Sequence, residues 1–465
     1  TDSTVSISDC NFIDCKANKY SVSIHNGKHE VSRCLFKFTN TENSCSGLKC
    51  DSPIEATIND CEFLNNNNLA EGSLYINSQA IQKVVVDGVT FDSCKGNGPQ
   101  TFNAEFNYGG DQSLVTIKDL VIRNVLSGSS YIYQIKANKN IKLDHCTFEN
   151  CRTSNSQGGG SGAFLDSNEI SFEYCNWINN YCSENGGAFQ HGSSAETNQH
   201  VLSFKYCNFT QNQTPKFGGA LAIQTKADIS ITECIFSMNV AGTAQSESSH
   251  LLEESGLGGA VYINPGFEST PTNKPQYTIE NTQFLDNQAS DGHAITIKAG
   301  KGNAEVSSFE NNVFTDNGAN ASFISDIQID IEDTIFNTTD PSKPSSNPIK
   351  FQGLPTYMRD RTYKSQVVFE SNEEAHFYNC TFDNCDFPRD QGHQYVITVH
   401  SRKFSFENCT IQFENAASAC GGISIDCYCN VTIIDSFFFR CNVNDESQSG
   451  GIYYEAKDID NTYSH

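Results

Sequence analysis

Asp291-Gly292-His293 sets an acid and an imidazole two residues apart, a pairing suited to proton transfer. On a uronate-like substrate it would need further clustered acids with Arg, Lys or Ca²⁺ beside it. No partner Asp pair of that type accompanies it, and Asp291-Gly292 falls where the repeat described below puts a Gly-Gly corner; its expected role is structural. Asp326, Asp330 and Glu332 alternate with Ile327, Ile329 and Ile331, which sets three carboxylates on one strand face. Solvated outer-face acids are the expected reading, because no Gly-Gly-x-Gly-x-Asp calcium repeat occurs. The 11 histidines are scattered, and no Ser/His/Asp or Cys/His order stands out. The sequence thus leads to the expectation of no catalytic residue, no metal site and no cofactor.

Two further sets of side chains report on compartment. There are 20 cysteines and no paired C-x2-C knuckles; Cys427-Tyr428-Cys429 leaves a single residue between its thiols. That load points to disulfides in an oxidising compartment. Asn-x-Ser/Thr acceptors stand at Asn208, Asn212, Asn320, Asn337, Asn379, Asn408 and Asn430. Together they predict a secreted or cell-surface glycoprotein. The chain opens at Thr1 without a signal peptide, so it reads as a mature form or an excised segment. No stretch approaches about 18 uninterrupted apolar residues, so no membrane span is expected in this chain. With 30 basic against 55 acidic groups, the net charge of −25 argues against a nucleic-acid partner. The acidity fits solubility and a polar exterior.

The elements that position these residues come from a repeat. Cys175-Asn176-Trp177 leads to Asn180 and then to Gly186-Gly187-Ala188-Phe189. Cys207-Asn208-Phe209 leads in the same way to Asn212 and Gly218-Gly219-Ala220-Leu221, with the aromatics 32 residues apart. Phe12, Phe36, Phe63, Phe91, a degraded Val121-Ile122, Phe148, Phe236, Phe284, Phe314, Phe336, Phe382, Ile411 and Phe438 continue the series. A period of this size marks a stacked repeat in place of several globular domains. Around each anchor the apolar period is two, as in Ile229 and Ile231 or Phe204 and Tyr206. Such alternation, bounded by Gly, Asn and Ser, means short half-buried strands, and the absence of helical patterns between them excludes a βαβ sheet. A composition of 33 Gly, 32 Phe and 18 Tyr with two Met agrees.

The expected fold is all-β: a right-handed parallel β-helix over 1–465, of roughly 14 to 16 coils, hence a rod on the order of 70 Å long. Stacking would make the anchors an internal aromatic ladder. Asn66, Asn180, Asn212, Asn239, Asn287 and Asn317 are expected in the left-handed conformation of a sharp corner, bonded to each other up the stack. Gly-Gly pairs suit a second corner where no Cβ fits. Inserted loops are expected at about 241–257 and at 338–366, where Pro341, Pro344, Pro348 and Pro355 make regular strand improbable and Tyr357, Met358, Arg359, Arg361 and Tyr363 offer a basic–aromatic contact.

Gly-Gly-Ala-[Ile/Leu/Val/Phe] paired with Phe-x-x-Asn resembles the repeat of polymorphic outer-membrane proteins and of related surface proteins of protists such as trichomonads. The resemblance is clearest over 146–317 and 409–452. It implies a β-helical surface adhesin or antigen; the cysteines and sequons favour a eukaryotic version, and nothing here resembles a C-terminal membrane barrel. Cysteines two before the anchor share one column, which favours the pairs Cys10–Cys34, Cys146–Cys175, Cys207–Cys234 and Cys380–Cys409. Pairs within a coil, such as Cys10–Cys15, Cys45–Cys50 or Cys380–Cys385, compete. The leading expectation is a non-enzymatic structural or adhesive protein with protein or glycan partners, or end-to-end self-association. The alternative is a carbohydrate-active, pectate lyase-like enzyme or lectin on the same scaffold.

Overall fold

Alternating Val, Ile, Phe and Tyr suit a pleated, half-buried surface, and strands form wherever that alternation occurs. The structure is a computed structural model. It describes residues 3–15, 19–39, 45–68, 72–78, 83–96, 101–106, 114–127, 131–137, 140–153, 159–167, 169–192, 200–242, 256–265, 274–290, 292–298, 304–315, 317, 323–325, 327, 334–337, 349–352, 356–359, 362–363, 367–383, 395–413, 421–441 and 450–455. Among the described residues there is no helix, and the strands stack in parallel sheets as a β-solenoid. The expected parallel β-helix is the observed architecture. The chain forms two compact units, Thr1–Gly256 and Leu257–His465.

In the first unit a coil has four straight pieces. An approach strand (Glu169–Glu173) leads to an anchor strand (Asn176–Ile178), a two-residue strand (Tyr181–Cys182) and an exit strand (Phe189–His191). Each lies in register on its equivalent in the next coil: Ile170 on Leu202, Trp177 on Phe209, Phe189 on Leu221. Parallel stacking repeats equivalent atoms about every 4.8 Å, so a residue type once placed recurs as a column. Phe36, Phe63 and Phe91 stack at 4.8 and 4.9 Å, and Trp177, Phe209 and Phe236 at 4.5 and 4.6 Å, all closed to solvent. Where Ile122 interrupts the ladder, Tyr133 of the exit strand stacks on Phe148 at 5.1 Å. Each buried ring contributes about 1.5–3 kcal/mol.

Single left-handed residues turn the chain on both sides of an anchor strand. Tyr174 (φ 54°) and Asn179 (φ 52°) bracket one, and Tyr206 (φ 54°) and Gln211 (φ 58°) the next. The recurrent asparagine therefore does not itself make the corner, contrary to expectation; the residue before it does. The asparagine turns inward instead. Asn212 Oδ1 accepts from the Asn180 backbone N–H at 3.1 Å and from Asn180 Nδ2 at 3.0 Å. Asn212 Nδ2 donates to the Trp177 carbonyl and to Asn239 Oδ1, both at 3.0 Å. The expected bonding up the stack is present, and it is fully buried. The Gly-Gly corner is as expected: a Cβ on Gly187 would lie 2.0 Å from the Gly219 carbonyl oxygen and 2.5 Å from the Gln213 nitrogen.

The second unit repeats the scheme. Phe284 and Phe314 stack at 4.7 Å; the backbone N–H and Nδ2 of Asn287 donate to Asn317 Oδ1, both at 3.0 Å. Two expectations are corrected here. The corner assigned to Asp291-Gly292 is made by Gly292-His293: Gly292 (φ 58°) takes the place of the first glycine and Ala294 follows, with Ala260 N–H donating to its carbonyl at 3.0 Å. Asp291 lies outside the described residues. The stretch 338–366, expected as a loop, contains strands Ile349–Gln352, Thr356–Arg359 and Thr362–Tyr363. They register as a coil, with Met358 on Phe377 and Tyr363 on Phe382. The prolines did not forbid strand because Pro341, Pro344, Pro348 and Pro355 all fall outside the three strands, whose own residues each keep a backbone N–H. Met358 is buried and Arg359 lies over the Tyr378 ring at 5.3 Å, so the basic–aromatic segment is partly strand; Arg361 is outside the described residues, as is 243–255 of the other expected insertion.

Asn212→Ala removes the acceptor of a buried N–H and the donor to a buried carbonyl, which costs about 2–4 kcal/mol. Asn176→Ala, on the outer face of the same coils, costs under about 1 kcal/mol. Urea unfolding followed by the fluorescence of Trp177, the single tryptophan, separates the two; equal midpoints would contradict the buried role. Gly187→Ala meets backbone that cannot move independently and shifts the midpoint at least as far as Asn212→Ala. Gly451→Ala, whose Cβ meets nothing within 4 Å, leaves it unchanged.

Candidate functional site on the exit face

The cysteines two before each anchor form the expected inward column. Coil adjacency is fixed by backbone bonds such as Asn176 N–H to the Cys146 carbonyl (2.8 Å) and Leu35 N–H to the Cys10 carbonyl (2.9 Å). Cys207 N–H donates to Cys234 Sγ at 3.4 Å, and Cys380 N–H to Cys409 Sγ at 3.2 Å. All four predicted partners are thus on neighbouring coils. So are Cys34 with Cys61 and Cys175 with Cys207, which the pairing left out. Cys10 and Cys15 flank the anchor strand Asn11–Ile13 at opposite ends, on the order of 10 Å of extended chain apart, beyond disulfide reach. Cys385 is outside the described residues. No disulfide joins the described cysteines in this structure. Burial pushes Cys61 and Cys151 up to about 12, and Cys94 up to about 11.

Of the sequon asparagines, Asn379, Asn408 and Asn430 are exposed on the second unit. Asn408 Nδ2 donates to Asn379 Oδ1 at 2.9 Å, an outer-surface contact open to water. Asn208 is half-buried, its Nδ2 2.9 Å from Asn176 Oδ1. Asn212 is a correction: its Nδ2, the atom a glycan would occupy, is buried and bonded inside the coil, so this sequon cannot carry one in the fold. Asn320 lies outside the described residues, as does the side chain of Asn337. Asp326, Asp330 and Glu332 are outside them too.

The first unit presents one uniformly polar surface. In the coils built from Tyr20–Ser32, Ser46–Asn59, Leu74–Ser78, Phe102–Phe106 and Tyr133–Ala137, alternation turns Leu48, Cys50, Leu74 and Ile76 inward. The intervening residues form two outward columns. One runs Ser23, Lys49, Tyr75, Asn103, Gln134; the other runs His25, Asp51, Asn77, Glu105, Lys136. Gln134 Nε2 donates to Glu105 Oε1 at 3.0 Å and to Asn103 Oδ1 at 3.4 Å; Lys136 Nζ donates to Glu105 Oε1 at 3.3 Å. Lys49 Nζ lies 3.5 Å from Asp51 Oδ2, with the rings of Tyr20 and Tyr75 at 6.0 and 5.5 Å.

At one end of this stripe Ser23 Oγ is 3.1 Å from His25 Nε2, and His25 Nδ1 is 3.0 Å from Asp51 Oδ2. The second unit holds a similar chain: Ser405 Oγ to His376 Nδ1 at 2.7 Å and His376 Nε2 to Glu374 Oε2 at 2.9 Å. His376 beside it holds the Glu374 carboxyl below its ordinary value. The order of groups is that of a nucleophilic relay. However, the His25 side chain is 58% exposed, and a relay gains its power from exclusion of water. Both chains arise from ladder register: Ser23 and His25 face one way on one strand, and His25 stacks on Asp51. Sequence reasoning missed them because their members are 26 to 29 residues apart and meet only once the coil period is known.

The chain matches no protein-family model and no curated protein. Fold and surface define it as a parallel β-solenoid whose repeat residues are structural and whose outer columns are free to specialise.

Two buried thiols, Cys61 of this column and Cys151 beyond the anchor Phe148, make a pH prediction. A thiol pushed from about 9 to about 12 by folding stabilises the native state fully below pH 9, and that stability is lost as pH rises toward 12. Reduced protein should therefore lose stability steeply above pH 9 in urea titrations. Cys61→Ala/Cys151→Ala protein should lack that component; identical profiles would contradict the burial of these two thiols.

Proposed function

We propose that the chain is a non-enzymatic structural or adhesive β-solenoid of the cell surface or extracellular space, N-glycosylated and stabilised by disulfides between neighbouring coils. The observation that carries this reading is the division of labour between inside and outside. Anchor rings, ladder asparagines and corner glycines are spent within the coil, while the sequons Asn379, Asn408 and Asn430 face solvent. Neighbouring cysteines suit oxidative cross-linking, which an extracellular protein would use. The Gly-Gly-Ala and Phe-x-x-Asn resemblance supports the same surface role, with partners met by the outer columns.

A lectin-like reading has one observation in its favour, the polar stripe of the first unit. It is compatible with an adhesive shaft, which needs a ligand.

Expression through a eukaryotic secretory route, followed by peptide mapping without reduction, tests the proposal. Asn379, Asn408 and Asn430 should carry glycans and Asn212 none, and Cys146–Cys175 and Cys207–Cys234 should appear as linked peptides. A secreted product with free thiols and bare Asn379, Asn408 and Asn430 would overturn it.

A further inference from the structure

We propose that the outward stripe of the first unit, from Ser23 and His25 to Gln134 and Lys136, binds a linear uncharged glycan laid along the stack of coils. The proposal deepens the adhesive reading and rests on it for its biological meaning.

Three observations point to this ligand. First, composition is selective. All ten outward positions on five successive coils are polar or carry a tyrosine hydroxyl. The anchor face of the same unit instead mixes Ile13, Leu35, Leu64, Val121, Ile178 and Ile235 into its outward positions. The approach face of these coils is nearly as polar, with Val85 among Glu30, Thr57, Thr116 and Lys142, so composition sets the stripe apart from the anchor face.

Second, the stripe is already ordered and partly dry. Tyr75, Asn103 and Gln134 point outward by register yet are only 9%, 5% and 7% exposed, while Glu105 and Lys136 beside them are 37% and 44% exposed. The bonds from Gln134 to Asn103 and Glu105 fix the amides in direction. Preset donors and acceptors, with Asn103 and Gln134 nearly covered and Glu105 and Lys136 open beside them, lower the ordering cost of binding.

Third, charge and periodicity choose the ligand. Lys49 stands against Asp51 and Lys136 against Glu105, so the stripe is balanced within a chain of net charge −25. A polyanion would be repelled by the whole and a polycation is not specifically met. Amides, carboxylates and hydroxyls that both donate and accept, repeated about every 4.8 Å, match a chain of hydroxyls that also do both. A peptide strand would seek a sheet edge for its backbone, and this is a sheet face.

The test is calorimetric titration of the full chain with soluble oligomers of glucose, mannose, galactose and N-acetylglucosamine up to about 5 mM, with heparin as the polyanion. At least one neutral series should bind. Asn103→Ala/Gln134→Ala should weaken it about tenfold or more, and Thr147→Ala/Asn176→Ala on the anchor face should not. Glu105→Ala, which removes the acceptor of Gln134 and Lys136 at a 37% exposed position, serves if the double variant does not fold, and should weaken binding in the same direction. No neutral binding, binding indifferent to these stripe variants, or binding to heparin alone would overturn the proposal. The two readings fail separately: a glycosylated, disulfide-linked protein that binds none of these sugars loses the stripe but keeps the surface role. A thiol-only, bare protein that binds them does the reverse.

Discussion

The structure depends on a hydrogen bond from backbone to side chain that crosses from one coil to the next. At the corner after each anchor strand the chain must turn, and a turning backbone leaves an N–H and a carbonyl that the flanking sheets cannot satisfy. Asn180, Asn212 and Asn239 supply both partners in a buried column: each oxygen accepts from the coil before, and each amide nitrogen donates to a carbonyl of that coil. Asn287 and Asn317 repeat the device in the second unit. Leaving one such group unpaired costs on the order of 1–3 kcal/mol, comparable to losing an aromatic from the ladder. The asparagine is therefore as much a core residue as the phenylalanine three positions earlier.

That constraint explains which residues recur and which vary. Asparagine at the inner corner, glycine where two backbones approach at the outer corner and an aromatic between them recur because stacking repeats one environment, although Cys94, Val125 and Cys151 stand at the inner corner of other coils. Outward positions carry no such demand. Lys142 and Glu173 pair across coils at 2.6 Å, His145, Tyr174 and Tyr206 stack at 4.7 and 4.8 Å, and both are open to solvent and contribute little to stability.

Most of the fold was legible because a period is a global signal: Phe12 and Phe36, or Trp177 and Phe209, announce the stack without any knowledge of contacts. The corner was misread because asparagine is favoured both for left-handed turns and for bonding backbone, and spacing does not say which use is made. Gln211 and Met238 show why: the residue that turns is of no consistent type, since the fold imposes the conformation on it. The coil at Ile349–Tyr363 was hidden by its prolines and by Tyr363 standing in for phenylalanine. The polar stripe was invisible because Asn103 and Gln134 carry no local motif; only the register between exit strands brings them together.

The central claim is that buried asparagine side chains close the corners between coils. Amide hydrogen exchange of the full chain measures it most directly. The backbone N–H groups of Cys151, Asn180, Asn212 and Asn287 donate to side-chain oxygens of the next coil. They should exchange as slowly as the anchor-strand amides of Asn176 and Asn208. Exchange at the rate of the solvent-facing corners, with the anchor strands still protected, would contradict the account.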